Sequence, residues 1–359
     1  MSWADWQGRS IFLTGHTGFK GTWMTLALAQ LGSNVTGFSL DPDTASPAGQ
    51  SFFDAVVQPG EITDLRSDIN DPAPLANAMA DAAPELVVHF AAQPLVRRGY
   101  SEPALTFATN LMGTVNVLEA VRACPSVRAV LVITTDKVYR NEDWVWSYRE
   151  TDQLGGLDPY SASKACTELA VASYRASVLD GPLIATARAG NVIGGGDWAQ
   201  DRLIPDLVRA FIAGDTTQIR NPHATRPWEF VLEPLMVYLK LCEKLLGGDA
   251  EFAEAWNVGP AREDAWPVHK IADRACQVWG DGARWETEAD ISAHPKESKL
   301  LTLDPSKVHD ALGYTPLLHI DGALDWTFEV YRAQTDAAAM RTIALNQIQA
   351  YLDAPMFRT

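Results

Sequence analysis

Cysteine is scarce in this chain. Only Cys124, Cys166, Cys242 and Cys276 occur among 359 residues. They are widely separated and form no C-x-x-C pair, so a cysteine-dense scaffold is excluded, no metal site is expected, and free thiols in a reducing cytoplasm are predicted. Basic charge is short too: 29 Lys and Arg face 45 Asp and Glu, for a formal net charge of -16. Such an excess repels phosphate backbones and anionic bilayers, so neither nucleic acid nor membrane is an expected partner. Long apolar runs are missing, none approaching the roughly 20 residues of a membrane helix. The first nine residues carry Asp5 and no apolar core, so they do not read as a signal peptide. Internal repeats, low-complexity segments and flexible linkers are absent as well.

What remains is a globular composition, 47% hydrophobic and 21% charged, with enough chain for one large α/β unit or two unequal lobes. Ser10 to Thr14 (SIFLT) reads as a buried strand ending at a glycine-rich stretch. Met24, Ala27, Leu28 and Leu31 follow at helical spacing, Gly32 stops that helix, and Val35 to Leu40 is a second strand. Leu86 to Ala92 and Ala129 to Thr134 read as interior strands, apolar on both faces, with a helix over Leu105 to Arg122 between them. A helix over Ser161 to Val178 and a strand over Leu183 to Ala189 continue the alternation. This order predicts the α/β class: a Rossmann-type doubly wound parallel sheet. After Asn191 the texture turns irregular, predicting a smaller C-terminal α/β lobe that binds substrate. The expected division is 1–190 for the dinucleotide-binding domain, receiving a segment near 229–258, and 191–228 with 259–359 for the second lobe.

Three clusters carry chemistry. Gly15-His16-Thr17-Gly18-Phe19-Lys20-Gly21 has G-x-x-G-x-x-G spacing between strand and helix. Glycines are needed where the chain turns sharply and a pyrophosphate must approach main-chain N–H groups. At the end of the second strand, Ser39 and Asp41 are the candidates for the adenosine ribose, and no arginine follows to receive a 2′-phosphate. NAD is therefore expected over NADP. Tyr160 and Lys164 stand four apart on one helix face, where an ammonium would lower the phenol from its usual value of about 10. The third cluster is Thr135-Asp136-Lys137 at a strand's carboxyl end, where ligands of open α/β sheets bind.

Together these residues resemble the extended short-chain dehydrogenase/reductase family, over nearly the whole chain. Asp68-Ile69 looks like that family's adenine contact, and His89-Phe90-Ala91-Ala92-Gln93 like its cofactor-lining segment. Leu312-Gly313-Tyr314-Thr315-Pro316 is similar to a late family motif. GHTGFKG, TDK, RAGNVIGGGDW at Arg188 to Trp198 and RPW at Arg226 to Trp228 narrow the likeness to the sugar-nucleotide 4,6-dehydratases. That resemblance implies NAD held by Gly15, Thr17, Gly18, Phe19, Lys20, Gly21, Ser39, Asp41, Asp68, Ile69, Ala91, Ala92, Gln93 and Asn110, with Tyr160 and Lys164 beside it. It implies CDP-glucose as substrate, held by Gln93, Asn191, Arg202, Leu203, Arg220 and Arg226. It implies catalysis by Thr135, Asp136, Lys137, Tyr160 and Lys164, and a homodimer formed through a four-helix bundle.

Lys137 is the unusual member, since most relatives carry glutamate there and an ammonium cannot accept a proton. It is either a base in its neutral form or a cation that stabilises an enolate. Glu229-Phe230 and Ser147 also depart from the expected pattern. Of the twelve tryptophans, Trp146 and Trp198 are the two candidates for base stacking. A 4-epimerase, or a dehydratase for another nucleotide sugar, would share the glycine turn and the Tyr–Lys pair. A non-catalytic dinucleotide-binding regulator would lack the Tyr or the Lys.

Overall fold

The computed structural model describes residues 3–260, 262–280, 282–289 and 300–355. The expected second lobe over 259–359 includes residues 261, 281, 290–299 and 356–359, which lie outside the described residues.

Twelve strands are present among the described residues: β1 (Ser10–Thr14), β2 (Asn34–Ser39), β3 (Thr63–Arg66), β4 (Leu86–His89), β5 (Ala129–Thr135), β6 (Leu183–Ala189), β7 (Asn191–Ile193), β8 (Thr216–Ile219), β9 (Thr225–Phe230), β10 (Ala255–Val258), β11 (Ala265–Pro267) and β12 (Arg284–Thr287). Seven of them form a sheet in the order β10-β6-β5-β4-β1-β2-β3, every pairing parallel. The order reverses between β1 and β4, which is where a doubly wound sheet opens a crevice. Central strands read as continuous apolar runs because both faces are covered: all seven residues of β5 are buried. Two small sheets, β11-β9-β7 and β12-β8, accompany it, and β7 follows directly on the carboxyl end of β6.

The helices that position the site are α1 (Phe19–Gln30), α2 (Phe52–Val56), α3 (Pro72–Ala82), α4 (Val96–Ser101), α5 (Pro103–Phe107), α6 (Gly113–Arg122), α7 (Pro159–Ser177), α8 (Leu203–Ala213) and α9 (Leu232–Gly247). α7 begins at Pro159, whose missing N–H costs nothing in a first turn. Asp158 caps it by accepting from Ser161 N at 3.0 Å. α9 is buried over most of its length and packs beneath β5 and β6. After α9, β10 returns to the main sheet and pairs with β6.

The expected single helix over Leu105 to Arg122 is instead broken. A wider π-type turn at Ala108–Met112 separates α5 from α6. Such a turn frees a backbone carbonyl from the helical ladder. Here the carbonyl of Asn110 accepts from Thr114 Oγ1 at 2.7 Å and from Thr167 Oγ1 at 2.8 Å. Hydropathy periodicity shows where apolar residues recur, and a one-residue bulge hardly disturbs it.

Candidate active site

The glycine turn joins β1 to α1. Gly15 has φ +72° and its N–H donates to the carbonyl of Phe38 at the end of β2, while Gly18 N–H closes the turn on Gly15 O at 3.1 Å. A Cβ on Gly15 would lie 2.6 Å from Ala91 N, and one on Gly21 would lie 2.0 Å from Gly15 O. α1 therefore starts with its backbone drawn close to β1 and β4. Gly18 caps that start without any side-chain bond, so the first amides of α1 face the cavity unclaimed by a side chain. That arrangement fits a dinucleotide pyrophosphate. Gly21→Ala is expected to destabilise the turn by about 1–3 kcal/mol, because backbone cannot swing aside as a side chain would. Thermal unfolding and NAD retention through gel filtration measure this, and both should fall.

A cavity of about 950 Å³ opens from this turn along the carboxyl ends of the strands. The expected cofactor residues of the glycine turn, Gly15, Thr17, Gly18, Phe19, Lys20 and Gly21, all line it. So do Ser39, Asp41, Asp68, Ile69, Ala91, Ala92 and Gln93. Thr17 Oγ1 meets Ser39 Oγ at 2.8 Å and donates to Leu40 O at 3.0 Å, tying the turn to the second strand's end. Sequence order hides one cation there. Arg66, at the end of β3, reaches Leu40 O at 3.3 Å and is paired with Asp64 at 2.7 Å.

Asn110 is set back from this cavity. Its side chain instead accepts from Gln93 N at 2.8 Å and donates to Gln93 O and to Ser163 Oγ. It braces the wall from behind rather than lining the cavity. His89 is likewise behind the wall, between Thr14 and Thr114. Burial pushes its imidazole down to about 3, so it stays neutral.

At the strand end, Thr135, Lys137, Tyr160 and Lys164 line the cavity. Asp136 is fully buried just beneath them, and its Oδ1 accepts from Thr135 Oγ1 at 2.9 Å and Lys137 Nζ at 3.1 Å. Its Oδ2 has no hydrogen-bond partner among the described residues. Gly190 passes close by: a Cβ there would lie 3.0 Å from Pro227 Cγ and in ordinary contact with that oxygen at 3.8 Å.

The Tyr160 phenol behaves differently from the sequence expectation. Burial pushes it up to about 12, opposed by a hydrogen bond with Thr135 and by the Arg202 charge. Lys164 is not among the groups that offset this, and its ammonium donates to Ile133 O at 2.9 Å. Burial lowers Lys164 itself to about 8, with Glu168 pulling it back up. Sharing a helix face fixes the spacing of two side chains, not the target of either one.

Asn191, Arg202, Leu203, Arg220 and Arg226 line the opposite wall, from β7, α8, β8 and β9. The arginines are already engaged. Arg202 pairs with Asp197 at 2.7 Å and Arg220 with Asp201 at 3.5 Å, while Arg97 meets Asp201 at 2.6 Å. Arg226 donates to Thr225 O. These acidic partners keep a cationic wall ordered inside a strongly acidic chain. Trp198 is buried in this wall against Tyr331, whereas Trp146 is exposed and outside the cavity.

Sequence reasoning gave no role to two buried groups. Glu229 is buried, and burial holds its carboxyl well above the usual range while the Lys20 charge opposes that shift. Lys20 is correspondingly lowered by burial and raised by Glu229. The second is Glu168, four residues beyond Lys164, a spacing that could have flagged it.

A glycine turn, a strand-end Thr-Asp-Lys and a Tyr-x-x-x-Lys helix around one crevice of a doubly wound sheet define an extended short-chain dehydrogenase/reductase. More narrowly, the chain belongs to the GDP-mannose 4,6 dehydratase family, whose sequence model matches residues 12–327. It is 42% identical over 356 residues to the CDP-glucose 4,6-dehydratase of Salmonella typhimurium, covering 97% of this chain and 98% of that protein. It is 27% identical over 281 residues to a dTDP-glucose 4,6-dehydratase of Xanthomonas campestris pv. campestris, covering 74% and 78%. Among solved structures, the dTDP-glucose 4,6-dehydratase of Bacillus anthracis in complex with NAD superposes with TM-score 0.74 at 17% identity, over 94% of this chain and 100% of that one. The UDP-glucose 4-epimerase of Thermotoga maritima gives 0.77 at 20%, over 91% and 99%. These two likenesses establish the fold.

Proposed function

We propose that this protein is an NAD-dependent CDP-glucose 4,6-dehydratase, converting CDP-glucose to CDP-4-keto-6-deoxyglucose and water. The observation that carries the reading is the buried carboxyl of Asp136, hydrogen-bonded by Thr135 and Lys137 beside Tyr160. A 4-epimerase has no leaving hydroxyl and no use for an acid there. The identity to the Salmonella enzyme supports the substrate.

The amides at the start of α1, with Ser39, Asp41, Asp68 and Ile69, would hold NAD. When bound, NAD supplies a reversible hydride acceptor. Tyr160, with Lys164 and Thr135 beside it, takes the proton of the 4-hydroxyl as carbon 4 is oxidised. Arg202 is the cation already acting on the phenol. The 4-ketone acidifies the carbon-5 proton, which we assign to Lys137 acting as a neutral amine. Asp136 protonates the departing 6-hydroxyl, so water leaves across carbons 5 and 6. Reduction at carbon 6 and protonation at carbon 5 complete the 4-keto-6-deoxy sugar. Arg202, Arg220 and Arg226, with Asn191, Leu203 and Gln93, bind the nucleotide diphosphate and sugar. The described residues of 1–190 with 229–258 form the dinucleotide lobe, and those of 191–228 with 259–355 the substrate lobe.

Incubation with CDP-glucose followed by alkali tests this directly. A 4-keto-6-deoxy chromophore is expected; recovery of CDP-galactose alone would favour an epimerase. A panel of nucleotide glucoses tests the cytidine preference.

The protein acts as a cytoplasmic homodimer. No helix among the described residues is long and apolar enough to cross a membrane, and the four cysteines are free. Leu105, Met112, Leu169 and Val178 are exposed on α5, the π-type turn and the α7 region. An apolar stripe of that kind suits pairing of two helices with two from a second copy. Leu169→Arg is expected to halve the mass seen by light scattering; an unchanged mass would move the interface elsewhere.

A further inference from the structure

Two side chains of α7 reach the end of β5, one helical turn apart. Lys164 Nζ donates to the carbonyl of Ile133 at 2.9 Å. Glu168 Oε1 accepts from the hydroxyl of Thr134, the next strand residue, at 2.5 Å. The other carboxylate oxygen accepts from Arg188 at 2.8 Å and Thr186 at 2.8 Å, both on β6. Arg188 also donates to Tyr139 Oη at 2.8 Å, and Tyr139 donates to Asn257 on β10. Glu168 and Arg188 are only 4% and 3% exposed.

A buried ion pair is a poor source of stability, because desolvating both ions offsets their attraction. What it supplies is direction. The residues after Thr134 are Thr135, Asp136 and Lys137, and one turn before Lys164 lies Tyr160. The strand end leads straight into Asp136 and Lys137, assigned to elimination, and the helix carries Tyr160 and Lys164, assigned to oxidation.

We propose that Glu168, held by Arg188, is a positioning residue that locks Thr134 to α7 and so keeps the two sets of reacting groups in register. This rests on the dehydratase reading above. The charge of Glu168 has a second effect, because it favours the ammonium form of Lys164. The other groups acting with Lys164 are Lys20 from α1, which opposes that form, and His89 from β4.

The test compares Glu168→Gln, Thr134→Val and Thr134→Ser with the wild type. Glu168→Gln and Thr134→Val should lower kcat for CDP-glucose dehydration by about 10-fold or more with KM changed by less than about 3-fold. Thr134→Ser, which keeps the hydroxyl, should recover to within about 3-fold of wild type. The alkaline limb of the Glu168→Gln profile should move to lower pH, and amide exchange at 135–137 should quicken in Thr134→Val. A merely structural role would lower Tm without moving the pH limb. Wild-type kcat and pH profile in folded Glu168→Gln would overturn the proposal. If that variant does not fold, equal kcat in Thr134→Val and Thr134→Ser overturns it. Failure of the wild type to dehydrate CDP-glucose would sink the dehydratase reading, and with it the role assigned here.

Discussion

Tyr160→Phe is expected to lose about 10²–10⁴-fold in kcat, the span that one positioned acid–base group contributes. The phenol oxygen is the only atom removed, so the buried ring should hold its place and NAD should still bind. The sugar hydroxyl would then lose the phenol oxygen as acceptor of its proton, and the Lys164 ammonium, a donor to Ile133 O, has no lone pair to replace it. The wild-type phenol itself starts from a disadvantage, with burial pushing it up to about 12. Positive charge must bring it down during turnover, and Arg202 is the group already doing so. Arg202→Lys should therefore lower kcat less than Tyr160→Phe does. Steady-state kinetics with a parallel measure of bound NAD checks both. Turnover that survives Tyr160→Phe would remove the phenol from the reaction.

The second large effect is expected from Asp136→Asn. The amide nearly matches the carboxyl in shape, so Thr135 and Lys137 should stay close to their places. It carries no acidic proton for the 6-hydroxyl. Oxidation at carbon 4 should continue while formation of the 4-keto-6-deoxy product falls by about 10²–10⁴-fold. The two half-reactions then separate: near-ultraviolet absorbance of reduced nicotinamide should build up after substrate is added, with no alkali chromophore. Equal loss of both signals would mean that Asp136 serves chiefly to orient Thr135 and Lys137. Oδ2 is the oxygen placed to carry and hand over that proton, since Thr135 and Lys137 both donate to Oδ1 and Oδ2 has no partner among the described residues.

Five strands of the main sheet were legible because they are short, apolar and separated by helical patterns, and Ser10–Thr14 and Leu183–Ala189 form as read, whereas the mostly exposed edge strand Thr63–Arg66 gave no such signal. The glycine turn was legible because its glycines answer steric demands that only glycine meets, at Gly15 and Gly21. The small sheets were not, since β7, β9 and β11 are stabilised by pairings between distant segments. The π-type turn was invisible because Asn110 is held by tertiary bonds to Gln93, Ser163 and Thr167. Most residues singled out for cofactor and substrate lie around one cavity. What spacing could not supply was the partner of each charge. Lys164 turns to a carbonyl, Arg202 to Asp197, and Glu168 gathers Thr134, Thr186 and Arg188. Those choices depend on which side chains share a buried space, and periodicity in one segment says nothing about that.

One measurement bears most directly on the dehydratase reading. CDP-glucose deuterated at carbon 4 is turned over in ordinary water, and the product is examined by NMR. The account predicts deuterium at carbon 6 of a 4-keto-6-deoxy sugar, carried within a single active site. Deuterium still on carbon 4, in starting material or its epimer, would contradict it.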